Sequence, residues 1–201
     1  GMQGYIIART RYLDEYFQNC LDSGFEQAVI LGAGYDSRAY RFKDLARRTR
    51  IFEVDHPATQ EEKKRKLRSV LGGLPDHVTY VPIDFTREAL EDRLFEHHYD
   101  PGRQTVFLWE GVTYYITADA VDRTLAFVAR HSGRGSSIIF DYTYDSVVNG
   151  TCPRREARLW RKTMIPRGEP LLFGIEEGGI EAFLTGRGFQ TPTDVSGNSL
   201  K

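Results

Sequence analysis

Gly32 and Gly34 sit two residues apart at the end of the apolar run Val29-Ile30-Leu31, and an acid, Asp55, follows 21 residues after the second glycine. Glycines at such a point let the backbone turn tightly and pass close to a ligand with no Cβ in the way. An acid about 20 residues further on, at the tip of the next strand, is placed to accept hydrogen bonds from a ribose hydroxyl pair. Glu53, two residues earlier on the same strand face, is the second choice for that role. Capping of the following helix is the competing reading of Asp55. Further along, Asp84-Phe85 joins an acceptor to an aromatic plane, which suits an adenine with its exocyclic amine and π-face. A strand-end acid beside a core Phe is the alternative there. Glu110 closes the run Thr105 to Trp109, and an ionisable group at the end of a buried strand is either functional or paired.

The glycine turn has G-x-G but carries Ser37 where the full dinucleotide fingerprint has a third glycine. The full fingerprint seats a pyrophosphate on a helix N-terminus. S-adenosylmethionine has no phosphate and asks only for close backbone passage beside its methionine end and an acid for its ribose. A lone G-x-G is equally consistent with an ordinary strand-to-helix turn, so the acids downstream decide between the readings.

These residues need a scaffold, and the pattern supplies one. The unalternated, β-branched-rich run Val29-Ile30-Leu31 reads as a strand covered on both faces, as in a parallel sheet, and Arg50 to Val54, Val78 to Ile83, Thr105 to Trp109 and Ser136 to Asp141 read as the second to fifth strands. Pro82 marks the third as an edge or a strand end. Leu13, Tyr16, Phe17, Cys20 and Leu21 recur at helical spacing and predict a helix over Ala8 to Ser23, stopped by Gly24. Arg9 and Arg11 then open that helix, where a cation opposes the macrodipole. One of them is a candidate partner for a carboxylate, and a solvated surface pair is the alternative.

Pro57 fits the first position of a helix reaching Leu71, with Asp55 or His56 as cap, and Glu61-Arg65 and Glu62-Lys66 pairs outside. Helices are also expected after the glycine turn, around Leu90 to Phe95, from Thr117 to Arg130, over Arg154 to Lys162, and at Ile180 to Leu184, with a sixth strand starting near Phe189. The strand-helix alternation gives an α/β fold with a doubly wound, mostly parallel sheet in a single domain spanning 1–201. Gly32, Asp55, Asp84 and Glu110 then fall at successive strand ends on one sheet edge, where open α/β sheets bind ligands.

The 201 residues include 27 basic and 28 acidic side chains, for a net charge of -1. Such a balance predicts neither a nucleic-acid nor an anionic-membrane partner. No apolar run approaches the roughly 18 residues needed to span a bilayer, and the start lacks the apolar core of a signal peptide, so a cytoplasmic protein is expected. Cys20 and Cys152 are far apart and outside any ligand spacing, so neither a disulfide framework nor a metal site is implied.

Taken together, ARTRYLD, LGAGYDSRAYR, FEVDHPATQEEKK, VPIDF, WEGVTYYIT and FDY resemble the leucine carboxyl methyltransferase family and its bacterial relatives, which are S-adenosylmethionine-dependent O-methyltransferases. The resemblance implies the class I, Rossmann-like methyltransferase sheet, whose last strand is antiparallel. It also implies that Arg9 holds the cofactor carboxylate and that Gly32 and Gly34 pass under the methionine portion. By the same resemblance Asp55 binds the ribose, Asp84 with Phe85 the adenine, and Glu110 the α-amino group. Tyr115 falls where the family keeps a tyrosine near the methyl donor, with a substrate-orienting role or core packing as its two readings. Family members usually run longer at both ends.

The activity expected is methyl transfer to a carboxylate or hydroxyl of a small molecule or peptide end. The competing readings are a nicotinamide-dependent oxidoreductase, against which Ser37 and the acids at the third and fourth strand ends argue, and a non-catalytic S-adenosylmethionine-binding module.

Overall fold

The computed structural model describes residues 2–42, 48–85, 87–164, 166 and 168–196. Five strands form one sheet: β1 (Gln27–Leu31), β2 (Arg50–Asp55), β3 (Val78–Pro82), β4 (Thr105–Trp109) and β5 (Ser137–Phe140), in the order β3-β2-β1-β4-β5. β1 pairs in parallel with both β2 and β4, and β2 in parallel with β3. Every residue of β1 and β4 is buried, as their unalternated apolar character requires. β3 is an edge strand and ends on Pro82, so the proline withholds no ladder donor inside the sheet.

The buried start of β1 is polar and satisfied. Gln27 donates from Nε2 to the Asp100 carbonyl at 2.8 Å and to Thr105 Oγ1 at 3.0 Å, and its Oε1 accepts from the Asp100 N–H at 3.0 Å. Those bonds tie the entry of β1 to that of β4, and so fix their register. A buried amide without them would cost about 1–3 kcal/mol.

The helices are α1 (Met2–Asp22), α2 (Arg38–Arg41), α3 (Pro57–Leu71), α4 (Leu90–Glu96), α5 (Ala118–Arg130), α6 (Asp145–Val148), α7 (Arg155–Met164) and α8 (Ile180–Thr185). A 3₁₀ turn covers Thr113–Tyr115. Pro57 does open α3, and His56 rather than Asp55 caps it, its Nδ1 accepting from the Ala58 N–H at 3.3 Å. Gly72, in the left-handed conformation at φ 75°, closes α3. Thr117 caps the start of α5 with a 3.2 Å bond from the Ala120 N–H to its Oγ1.

Three expectations are corrected. α1 starts at Met2, not Ala8, so Arg9 lies in mid-helix and does not oppose the macrodipole at its start. Glu61 pairs with Lys64 and Arg65 with Glu62, each at i,i+3; Glu62-Lys66 forms as expected at 3.5 Å. No sixth strand is present among the described residues 189–196, so the antiparallel last strand implied by the resemblance is not seen there.

The chain divides into two compact units. One comprises Gly1–Leu13, Gly111–Ala129 and Phe140–Lys201, and the other Asp14–Glu110 and Arg130–Ile139. The second unit holds β1 to β4, the turns that follow β1, β2 and β3, and Glu110 after β4.

Candidate active site at the strand ends

Within the second unit the parallel register aligns the C-terminal ends of the strands. Leu31 lies opposite Val54, and Asp55 opposite Pro82, so the segments after β1, β2 and β3 leave the sheet on one rim. Two further bonds bind these exits together: the Ala33 N–H donates to the Val54 carbonyl at 3.0 Å, and the Ile83 N–H to the Asp55 carbonyl at 2.9 Å. β4, parallel to β1, delivers Glu110 to the same edge.

Gly32 and Gly34 both adopt positive φ, 64° and 40°, which L side chains rarely do. The Gly34 N–H donates to Asp55 Oδ2 at 2.5 Å, and the His56 N–H to Asp55 Oδ1 at 2.7 Å. Each carboxylate oxygen therefore takes one backbone donor and retains a second lone pair for a hydroxyl. Among the described residues, a Cβ placed on Gly34 would meet within 4 Å only the Gly32 carbonyl oxygen, at 3.8 Å, which leaves room for close passage over the turn.

Asp84 follows β3 and is half-buried. Its backbone N–H donates to Glu88 Oε2 at 2.8 Å, while Arg87 approaches its Oδ2 at 3.6 Å. Phe85, next in the chain, is also half-buried. Glu53 is not at the rim. It is 1% exposed and binds Lys63 Nζ at 2.8 Å and the Tyr40 hydroxyl at 3.0 Å, so it leaves the set of candidate ribose acids.

The residue that sequence reasoning missed is Arg38. At 3% exposure its guanidinium is surrounded by three acids: Nε bonds Asp14 Oδ1 at 2.7 Å, and Nη1 bonds Glu110 Oε2 at 2.8 Å and also the Asp36 carboxylate. Asp36 Oδ1 further accepts the Arg38 backbone N–H at 2.7 Å. Burial alone would lower the Arg38 pKa, but the charges of Asp36, Glu110 and Asp14 outweigh it and raise the value. The cation therefore stays charged where it is buried. Its position inside LGAGYDSRAYR was the available signal, since a basic residue just past a glycine turn in a buried segment must be paired.

Arg9 and Tyr115 belong to the first unit. There Arg9 Nη1 bonds Asp141 Oδ2 at 2.6 Å. Asp141, at the end of β5, also accepts the Gly111 N–H at 2.7 Å and the Tyr114 hydroxyl at 3.3 Å, and its carbonyl accepts Thr113 Oγ1 at 2.6 Å. Burial and the charge of Asp141 both push the Tyr114 phenol pKa up, so this hydroxyl stays protonated and donates. The Tyr115 ring lies 4.7 Å from that of Tyr114 and its hydroxyl 3.5 Å from Met164 Sδ. It packs, half-buried, against a cluster of Tyr114, Val147, Cys152 and Leu171.

A parallel sheet with a glycine turn after β1 and acids at the ends of β2, β3 and β4 is the class I methyltransferase fold. Solved structures agree on that architecture. A Thermobifida fusca protein provisionally named a methyltransferase superposes with a TM-score of 0.66 at 16% identity, over 90% of this chain and 66% of that one. Human N-acetylserotonin methyltransferase in complex with SAM superposes with a TM-score of 0.60 at 14% identity, over 94% and 52%. The sequence pattern of leucine carboxyl methyltransferase matches residues 1–129, and the chain belongs to that family. A Bacillus subtilis relative, YktD, provisionally named an S-adenosyl-L-methionine-dependent methyltransferase, is 35% identical over 184 residues. The match covers 90% of this chain, which spans 60% of that relative's length.

Proposed function

We propose that the chain binds S-adenosylmethionine along the strand-end rim and takes part in transfer of its methyl group to a carboxylate or hydroxyl oxygen of a small molecule or peptide end. The observation that carries this reading is the Gly34-Asp55 bond, which ties the turn after β1 to the acid after β2 in one prepared surface. Both features fit the cofactor: the space over Gly34 admits close passage of the methionine portion, and Asp55 retains acceptor capacity for two ribose hydroxyls. Asp84 with Phe85 would take the adenine, and Glu110, held at 2.8 Å by Arg38, the α-amino group.

When bound, the cofactor supplies an activated methyl together with its own sulfonium leaving group. The protein's part is positioning. Residues that fix the nucleoside and the amino-acid end hold the reacting carbon in line with an incoming oxygen, and a dry site removes competing water. A carboxylate acceptor needs no general base. For Arg9 and Tyr115 the proposal rests on their motif positions: the first binds the cofactor carboxylate and the second orients the acceptor. Tyr115→Phe should lower kcat with cofactor affinity unchanged; no change in kcat assigns Tyr115 to packing alone.

Calorimetric titration with S-adenosylhomocysteine tests the main reading. Wild type should bind, and Asp55→Ala should bind about 10- to 100-fold more weakly, the range for loss of a charged acceptor of two hydroxyls. A variant that binds as well as wild type refutes the ribose assignment. Stabilisation by a nicotinamide dinucleotide and not by S-adenosylmethionine would favour an oxidoreductase instead.

A further inference from the structure

Arg38 is a poor candidate for contact with a ligand, because its guanidinium is buried beneath three carboxylates. What it holds is more informative. One Nη1 group bonds both Asp36, inside the glycine turn two residues past Gly34, and Glu110, the acid after β4. Nε anchors the same plane to Asp14 of α1, and Asp14 is held in turn by Arg41 at 2.9 Å. A planar guanidinium carries donors in a fixed fork, so it can set the separation and orientation of several carboxylates at once. A lysine in its place offers one compact charge and cannot span them. Without the cation, Asp14, Asp36 and Glu110 would be three like charges packed together, and the free acid would turn away from its neighbours.

We infer that Arg38 is a positioning residue of the candidate cofactor site: through Asp36 and Glu110 it fixes the glycine turn and the β4 acid relative to each other, and so sets affinity for the amino-acid end of the cofactor. This rests on the reading of the strand-end rim as an S-adenosylmethionine site. It assigns to a buried side chain the spacing between two groups that are 74 residues apart in the chain, Asp36 and Glu110.

The test uses two ligands that share the nucleoside and differ at the amino-acid end. S-adenosylhomocysteine carries the ammonium and carboxylate; 5′-methylthioadenosine has neither. Calorimetry on wild type and Arg38→Lys should show S-adenosylhomocysteine weakened by about ten-fold or more, the effect of misplacing one charged hydrogen bond. Affinity for 5′-methylthioadenosine should stay within about two-fold. A double-mutant cycle with Glu110→Gln should be non-additive, because Arg38 acts through that acid. Equal weakening of both ligands would make Arg38 a general stabiliser and overturn the inference, as would unchanged binding of both or an additive cycle. If Arg38→Lys does not fold, Asp14→Ala, which removes the acceptor of Arg38 Nε together with that of Arg41, replaces it: selective weakening of S-adenosylhomocysteine supports the inference, and equal or absent weakening overturns it. Wild type that binds neither ligand defeats the cofactor reading itself, and this inference with it; wild type that binds both defeats Arg38 alone when the variants show no selective loss.

Discussion

The backbone N–H of Gly34 and the carboxylate of Asp55, 21 residues apart in sequence, meet at 2.5 Å. That bond joins two strand exits which the parallel ladder already sets side by side, Leu31 opposite Val54. The turn can therefore hold its left-handed glycine conformation without a ligand, and the acid is oriented in advance. Preorganisation of this kind reduces the ordering cost of binding.

Gly34→Ala separates the cost of the turn from the cost to binding. At φ 40° an alanine pays about 1 kcal/mol in backbone strain, but its Cβ meets nothing nearer than the Gly32 oxygen at 3.8 Å. Thermal unfolding should drop by about 2–4 °C for a chain of this size. Binding of S-adenosylhomocysteine should fall by more than about ten-fold, because the added methyl enters the space the methionine portion is proposed to use. A variant with wild-type affinity would place the ligand away from this turn.

Glu53 gives the fold a pH dependence of unusual sign for a carboxylate. Burial pushes its pKa up to about 7, against the opposing pull of Lys63 and the Tyr40 hydroxyl and with the added repulsion of Asp36. The folded state thus binds a proton more readily than the unfolded chain, whose value is near 4.5. The contribution of Glu53 to stability is fully present below about pH 4.5, declines as pH rises toward 7 and is flat above it. Urea unfolding of wild type and Glu53→Gln between about pH 5 and 7.5 should show this decline in wild type and lose it in the variant. Parallel pH profiles for the two proteins would contradict it.

Asp141→Asn removes charge from an acid that serves Arg9, Gly111 and Tyr114 at once. The side chains of Arg9 and Asp141 are 18% and 9% exposed, so solvent screens the pair only in part. The asparagine oxygen still accepts the Gly111 N–H. Loss of the charged partner should cost about 1–3 kcal/mol, read by chemical denaturation. An unchanged denaturation midpoint would mean that Arg9 is satisfied equally well elsewhere.

Most of the rim was legible because each feature has a local cause. Pro57 marks the start of α3, Asp55 closes an apolar run just before it, and Gly34 ends the preceding turn. Arg38 and Glu53 were not legible. Their burial depends on partners distant in sequence, Glu110 for the first and Tyr40 and Lys63 for the second, and a single charged letter in a sequence does not announce who neutralises it. The early start of α1 was hidden by Gly4, which weakens helical propensity locally. Tyr115 shows the opposite limit: its motif marks the position, while its contacts with Tyr114 and with Met164, 49 residues further on, are set by the fold.

The central claim is that the exits of β1, β2, β3 and β4 together grip a sulfonium nucleoside. A crystal structure of the chain with S-adenosylhomocysteine tests it most directly. The account predicts both ribose hydroxyls within about 3 Å of the Asp55 carboxylate, the adenine against Phe85 with its amine toward Asp84, and the ammonium on Glu110. A ligand bound with its ribose away from Asp55, while the Gly34-Asp55 bond stays in place, would contradict it.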